Sequence, residues 1–393
     1  MESVGLFLEG VRVIEFCQVA AGPFCGMLLA DLGADVVKIE NPTTGDSLRQ
    51  WPPITDGFSE NFASVNRNKR SVALDLKDPD QRRAAFELCA RADIVIENNR
   101  PGVMDRLGLD YASVAVANPR IVYCSISGFG QTGPRSSQGA FDVTVQAIAG
   151  VMSVTGEPGG APVKCGVPIG DFSTGLYGAF AVAAALRSAE VSGKGTHIDI
   201  SLLGATLGVA ALQTSEYFGT GRSPEKLGAA HPRNAPYEAF RSADGWFVMA
   251  AGNNKLWESV CRSIAMPELL EDPRFTTNSK RAAAQKELRV ILEERFKNRP
   301  SADWIEIFLS VGVPCGPINS YEEALDEPQV RSMGWVKELT LPSGRTTRTF
   351  GSPLLIDGET LPIRRSPPQL GEHNAEILAE LDPAQHAVTI GER

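Results

Sequence analysis

The acidic side chain best placed for chemistry is Asp171, in the run Val167, Pro168, Ile169, Gly170, Asp171, Phe172, Ser173, Thr174, Gly175. A tight apolar turn precedes it and small residues follow. A carboxylate at the start of a helix meets the positive end of the helix dipole, which favours its ionised form. Held on a rigid, mostly apolar support, such a carboxylate can attack an electrophilic carbonyl. Aspartate is also a preferred capping residue, so this window alone leaves both roles open. Leu176, Tyr177, Phe180, Val182 and Leu186 follow at the spacing of a buried helical face, which predicts a core helix carrying the acid.

Other chemistries find less support. The seven cysteines (Cys17, Cys25, Cys89, Cys124, Cys165, Cys261 and Cys315) are scattered and odd in number. None forms a Cys-x-x-Cys pair, so neither a disulfide framework nor a zinc site is expected. The four histidines are not spaced as metal ligands. No Gly-x-x-x-x-Gly-Lys-Ser/Thr loop is present for ATP. The first strand-to-helix turn, Ala21 to Gly26, lacks the Gly-x-Gly-x-x-Gly pattern, and Pro23 removes an amide that a dinucleotide pyrophosphate needs.

At 393 residues the chain is expected to form one large or two ordinary domains, and 43 % hydrophobic with 22 % charged residues fits a globular protein. A net charge of -9 argues against nucleic acid and acidic membrane surfaces as partners. No basic segment followed by an apolar core opens the sequence, and no apolar run reads as long enough to span a bilayer. The expectation is a metal-free enzyme of the cytoplasm.

The elements that must position Asp171 alternate between strand and helix. Residues 11–16, 35–40, 71–76, 93–97 and 121–126 predict strands. Residues 22–32 and 79–92 predict helices. Short apolar runs alternating with such helices indicate a parallel sheet covered on both faces, with ligands beyond the C-terminal strand ends. Thr196 to Leu212 predicts a strand feeding a long buried helix, and Gly219 to Arg233 a loop-like connection. Strands at 237–240 and 246–251, then helices near 254–264, 280–297 and 301–311, predict a smaller α+β domain.

Together these blocks resemble the class III CoA-transferases (CaiB/BaiF type). The resemblance rests on Ala21 to Pro23, Leu32 to Glu40, Gly45-Asp46, Asn68 to Ser71, Leu74 to Lys77 and Asp93 to Asn98. It continues through Pro101-Gly102, Arg106 to Gly108, Asn118 to Arg120, Gly170-Asp171 and Gly312 to Pro317. It implies an α/β fold with a Rossmann-like large domain from 1–200 and 325–393, a linker at 201–228 and a small domain at 229–324. Two chains would thread through each other as an interlocked homodimer. Asp171 falls on the family's nucleophile. CoA or acyl-CoA would be a substrate, with no tightly bound cofactor. The resemblance implies CoA contacts at Val19, Ala21, Leu74, Lys77, Asn98 and Arg106, with Asp142 and Gln146 near the nucleophile. Asp142 could instead cap a helix.

Three departures accompany the resemblance. Asn41 stands where formyl-CoA transferases carry arginine, and Asn99 where they carry an aromatic. The glycine-run lid is replaced by Ala250 to Asn254, a lid or a turn. Related α-methylacyl-CoA racemases place histidine immediately before the acid aligned with Asp142. Phe141 stands there instead and cannot move a proton, so transfer is favoured over racemisation. A non-catalytic CoA-binding protein is the third reading. Later blocks, including Asp272 to Phe275 and Glu327 to Val330, resemble the branch that uses succinyl-CoA and dicarboxylates. A dicarboxylate's far end needs a cation, for which His231 and Arg233 are the candidates.

Overall fold

A computed structural model describes residues 5–382. Among these, the chain divides into two units. The first holds the described residues up to Val151, then Cys165–Thr220, then those from Pro328 onward. The second comprises Met152–Lys164 and Gly221–Glu327. The division differs from the expected boundaries. Most of the expected linker is helical and belongs to the first unit, as Leu202–Val209 and Ala211–Thr220. Leu202–Val209 buries Leu202, Ala205 and Thr206, as the buried helix expected up to Leu212 requires.

The first unit is built on six strands: β1 (Arg12–Phe16), β2 (Asp35–Glu40), β3 (Lys69–Ala73), β4 (Ile94–Glu97), β5 (Val122–Ser127) and β6 (Thr196–Ser201). They pair in the order β3-β2-β1-β4-β5-β6, all parallel. The order reverses between β1 and β4, so the crevice for a ligand opens at the C-terminal ends of those two strands. Alternation sends Val13 and Ile14 into separate cores on opposite faces. β3 is the edge strand, and the C-terminal segment covers it. Asn68 donates to the Arg365 carbonyl at 3.0 Å, the His373 amide to Ser71 at 3.0 Å, and the Ala73 amide to Asn374 Oδ1 at 2.7 Å.

Three helices bear on the site: α1 (Ala21–Asp31), α2 (Asp142–Ile148) and α3 (Ile169–Ser192). The buried face of α3 is only in part the expected one: Val182 and Leu186 are buried, but the three expected residues before them are not. Leu176 and Phe180 are 54 % and 74 % exposed, and Tyr177 is exposed as well. The inward positions are Gly170, Ser173, Thr174, Gly175, Gly178, Val182, Leu186 and Ala189. The reason is close approach. A Cβ on Gly175 would sit 2.8 Å from the Ala21 carbonyl oxygen and 2.9 Å from a Phe24 ring carbon, and one on Gly178 would sit 3.1 Å from Cys25 Sγ. At Gly175 there is room only for a hydrogen atom, so small residues face α1 there, and Val182 and Leu186 turn inward further along. By length and composition α3 is also the one helix among the described residues able to cross a membrane, which corrects the expectation that no such run exists. Polar residues interrupting the run, Asp171 to Thr174 and Arg187 to Glu190, hid it from the sequence reading.

The second unit carries a three-stranded antiparallel sheet from Tyr237–Arg241, Trp246–Ala250 and Cys315–Pro317, with Trp246–Ala250 in the centre. Phe240, Phe247, Trp257, Phe296, Trp304 and Phe308 form its core under the helices that follow.

Candidate active site

Asp171 is the third residue of α3, inside its first turn. The N-cap position is Pro168, which makes no side-chain capping bond. Asp171 is therefore not a cap, and the described residues give its half-buried carboxylate no hydrogen bond. The helix dipole alone favours the ionised form by about 0.3–1 kcal/mol, less than the ~1.4 kcal/mol of one pKa unit. Burial raises carboxylate pKa values by more than that. Burial first, and then the charge of Asp142, push Asp171 up to about 6, against the expected easy ionisation. At neutral pH it still loses its proton, as a more basic and so stronger nucleophile than a solvated aspartate.

Asp142 begins α2 but caps α3. Its Oδ1 accepts the Gly170 amide at 2.9 Å, satisfying a donor that the first turn of α3 leaves orphaned. Its Oδ2 accepts Gln146 Nε2 at 2.6 Å, and Gln146 Oε1 accepts the Cys165 amide at 2.8 Å. Asp142 thus stands beside Asp171. Phe141 precedes it and is 71 % exposed, with no proton to move.

A cleft of about 440 Å³ opens at the C-terminal ends of β1, β2 and β3. Leu74, Lys77 and Arg106 line it, as the resemblance implies. Lys77 and Arg106 are exposed, as cations for phosphates should be. Asn41 and Asn99, the two departures, line it too. Asn99 Nδ2 is turned to the Phe16 carbonyl at 3.3 Å. Asn98, Val19 and Ala21 are not among the lining residues. Asn98 is instead spent on the neighbouring peptide, its Oδ1 accepting the Gln18 amide and its Nδ2 donating to the Gln18 carbonyl, both at 2.8 Å. It thereby shapes the turn after β1, with one amide hydrogen and one oxygen lone pair beyond these two bonds. Ala21 is buried at the start of α1. Val19 has φ +66, a left-handed conformation that a β-branched residue rarely adopts and that costs about 1–3 kcal/mol.

That turn is held by a group of buried charges, to which sequence reasoning assigned no role. Glu15 and Lys38 are register partners on β1 and β2, both fully buried. Glu15 takes Lys38 at 2.9 Å and Lys69 at 2.8 Å, and Lys38 also reaches Asp46 at 3.0 Å. The free ends of these side chains grip the turn. Lys38 donates to the Cys17 carbonyl at 2.6 Å, Lys69 to Pro23 at 2.7 Å, and the Val19 amide to Asp46 Oδ1 at 3.0 Å. Burial pulls both lysines down. For Lys38 the Glu15 and Asp46 carboxylates more than offset it and hold the pKa above the usual value, whereas Lys69 stays below it. The legible signal was a charged residue inside strands otherwise apolar on both faces.

In the second unit, His231 Nδ1 accepts the amides of Arg233 and Asn234, each at 3.1 Å. Burial, and then Arg233, hold its pKa below the usual value, and its Nδ1 is engaged in organising a turn. Arg233 remains a candidate. Asn253 Oδ1 caps the helix Asn254–Ser263 through the Leu256 amide at 2.9 Å, so Ala250 to Asn254 is built as a strand-to-helix turn.

The model of CoA-transferase family III matches residues 8–374. The chain belongs to that family. This CoA-transferase is 40 % identical over 389 residues to a succinate–glutarate CoA-transferase of Agrobacterium fabrum, covering 97 % of each chain. It is 38 % identical over 374 residues to an acetyl-CoA:oxalate CoA-transferase of Acetobacter aceti, covering 95 % of each. Among solved structures, a CaiB/BaiF family protein from Brucella suis superposes with a TM-score of 0.86 at 38 % identity, covering 96 % of this chain and all of that one.

Proposed function

We propose that this CoA-transferase moves CoA from a succinyl-CoA-type donor to a dicarboxylic acid through covalent intermediates on Asp171. A carboxylate oxygen of Asp171 attacks the thioester carbonyl, the C–S bond breaks, and CoA leaves as thiolate beside a mixed anhydride. The thiolate then attacks the Asp171 side-chain carbonyl, releasing the donor acid and leaving an aspartyl-CoA thioester. The acceptor carboxylate repeats the exchange in reverse and restores Asp171. Every bond broken is replaced, so neither ATP nor a resident cofactor is required. The observation that carries this reading is the half-buried carboxylate of Asp171, unpaired by any described hydrogen bond and pushed up to about 6, in a chain of this family. Racemisation needs proton carriers on both faces of the α-carbon, and Phe141 offers none.

The acceptor class follows the relatives, whose names give glutarate and oxalate, both dicarboxylates. Lys77 and Arg106 would meet CoA phosphates. The exposed apolar side chains of α3 and of Ala211–Thr220, Phe218 at 81 % among them, support an interlocked homodimer. Seven free thiols fit the reducing cytoplasm.

The test combines mass spectrometry with an acceptor panel. Acid quenching during turnover of succinyl-CoA should leave a CoA-sized adduct on the peptide carrying Asp171. Asp171→Ala should lose it together with about 10³-fold or more of the transfer rate. Glutarate, oxalate and monocarboxylates are then compared as acceptors. An unmodified peptide during full turnover, or selective turnover of a monocarboxylate, overturns the proposal.

A further inference from the structure

We infer that Asp142, oriented by Gln146, is a positioning residue for the reacting carboxylate. It fixes the first turn of α3 and sets beside Asp171 a second negative charge, whose repulsion is relieved when Asp171 is acylated. This rests on the covalent reading above.

The geometry gives Asp142 no capping task in its own helix. The N-cap of α2 is Phe141, whose amide is taken by Thr144 Oγ1 at 3.1 Å. Asp142 reaches across to Gly170, one residue before the nucleophile. The other end of Gly170 is held too, its carbonyl accepting Thr174 Oγ1 at 2.6 Å. A Cβ at Gly170 would lie 3.0 Å from Asp142 Oδ1 and 3.1 Å from Thr206 Oγ1, so the residue before Asp171 is fixed by bonds and by lack of space.

Gln146 makes the arrangement directional. It is fully buried, and the Cys165 amide can only donate, so the Gln146 oxygen must face it. The Gln146 amide group is thereby turned to Asp142 and demands an acceptor there. Both oxygens of Asp142 are thus bound as acceptors, one to Gly170 and one to Gln146, beside the carboxylate that reacts.

Acylation converts Asp171 from anion to neutral anhydride or thioester and leaves the bonds of Asp142 in place. A like charge close by therefore disfavours the resting anion and favours the adduct. Other groups packed on this turn do not compete. Helix α1 brings Cys25, whose thiol burial keeps neutral, and Leu202–Val209 brings Thr206, which does not titrate. Cys165 lies on the segment that Gln146 holds.

The experiment follows the acid-quenched Asp171 adduct and kcat/KM for succinyl-CoA from about pH 5 to about pH 8. Wild type, Asp142→Asn, Asp142→Glu and Gln146→Met are compared. Asp142→Asn should lower the adduct fraction several-fold and move the acid limb to lower pH by about half a unit. Asp142→Glu should restore the limb. Gln146→Met keeps the charge but loses the tether, so kcat should fall with the limb unmoved. An Asp142→Asn enzyme that is slower or less stable but keeps the wild-type limb and adduct fraction would reduce Asp142 to a structural cap and overturn the inference. Wild type without any adduct would instead bring down the covalent reading on which it rests.

Discussion

Two carboxylates near one helix start have been given opposite tasks by their surroundings. Asp142 has hydrogen-bond donors on both oxygens, and Asp171 has none described. Half-buried and with no described donor, Asp171 is pushed up to about 6, and burial is the larger cause. A carboxyl raised on folding adds no penalty below its ordinary pKa, where both states are protonated. The penalty grows between about 3.8 and about 6, and is complete above that. Asp171→Asn should therefore stabilise the fold at pH 7.5 by about 1–2 kcal/mol after discounting for partial exposure, with no gain below about pH 4. Urea unfolding at both values checks it, and an equal gain at both would contradict it. The rate of adduct formation should fall as pH drops through about 6. Glu97, at the end of β4, is also pushed up to about 6 by burial, so the readout must be the Asp171 adduct and not turnover alone.

At the scale of elements, the seam between α1 and α3 sets where that carboxylate sits. Gly175 meets backbone and an aromatic ring, which cannot step aside, while Gly178 meets a cysteine sulfur at a looser 3.1 Å. Gly175→Ala should cost about 1–3 kcal/mol and lower activity, since the turn carrying Asp171 must shift. Gly178→Ala should be close to neutral, because the helix propensity gained, about 1 kcal/mol, offsets a small adjustment. Chemical denaturation of both variants tests the ranking, and equal costs would show that the seam can yield. The turn after β1 is held differently, by Lys38, Lys69, Asp46 and Asn98 gripping its peptides. The left-handed Val19 persists because those bonds over-determine it.

At the scale of the whole molecule, the outward face of α3 remains apolar, with Leu176, Tyr177 and Phe180 uncovered. If a second copy covers them, Phe180→Asp should convert a dimer into folded monomers and abolish transfer. Light scattering after size exclusion reads the mass, and a wild-type monomer would contradict the dimer. By itself the sequence determined the parallel α/β order, the place of Asp171 at a helix start and the family. Strand and helix periodicities are written in local spacing, and the matched blocks lie along nearly the whole chain. Only the tertiary structure decided which face of α3 is buried, because large and small apolar residues alternate around it and the space left by α1 chooses between them. It likewise turned Asn98 to the Gln18 peptide and Asp142 to α3. Those partners lie 80 and 28 residues away in the chain, beyond the reach of any local pattern.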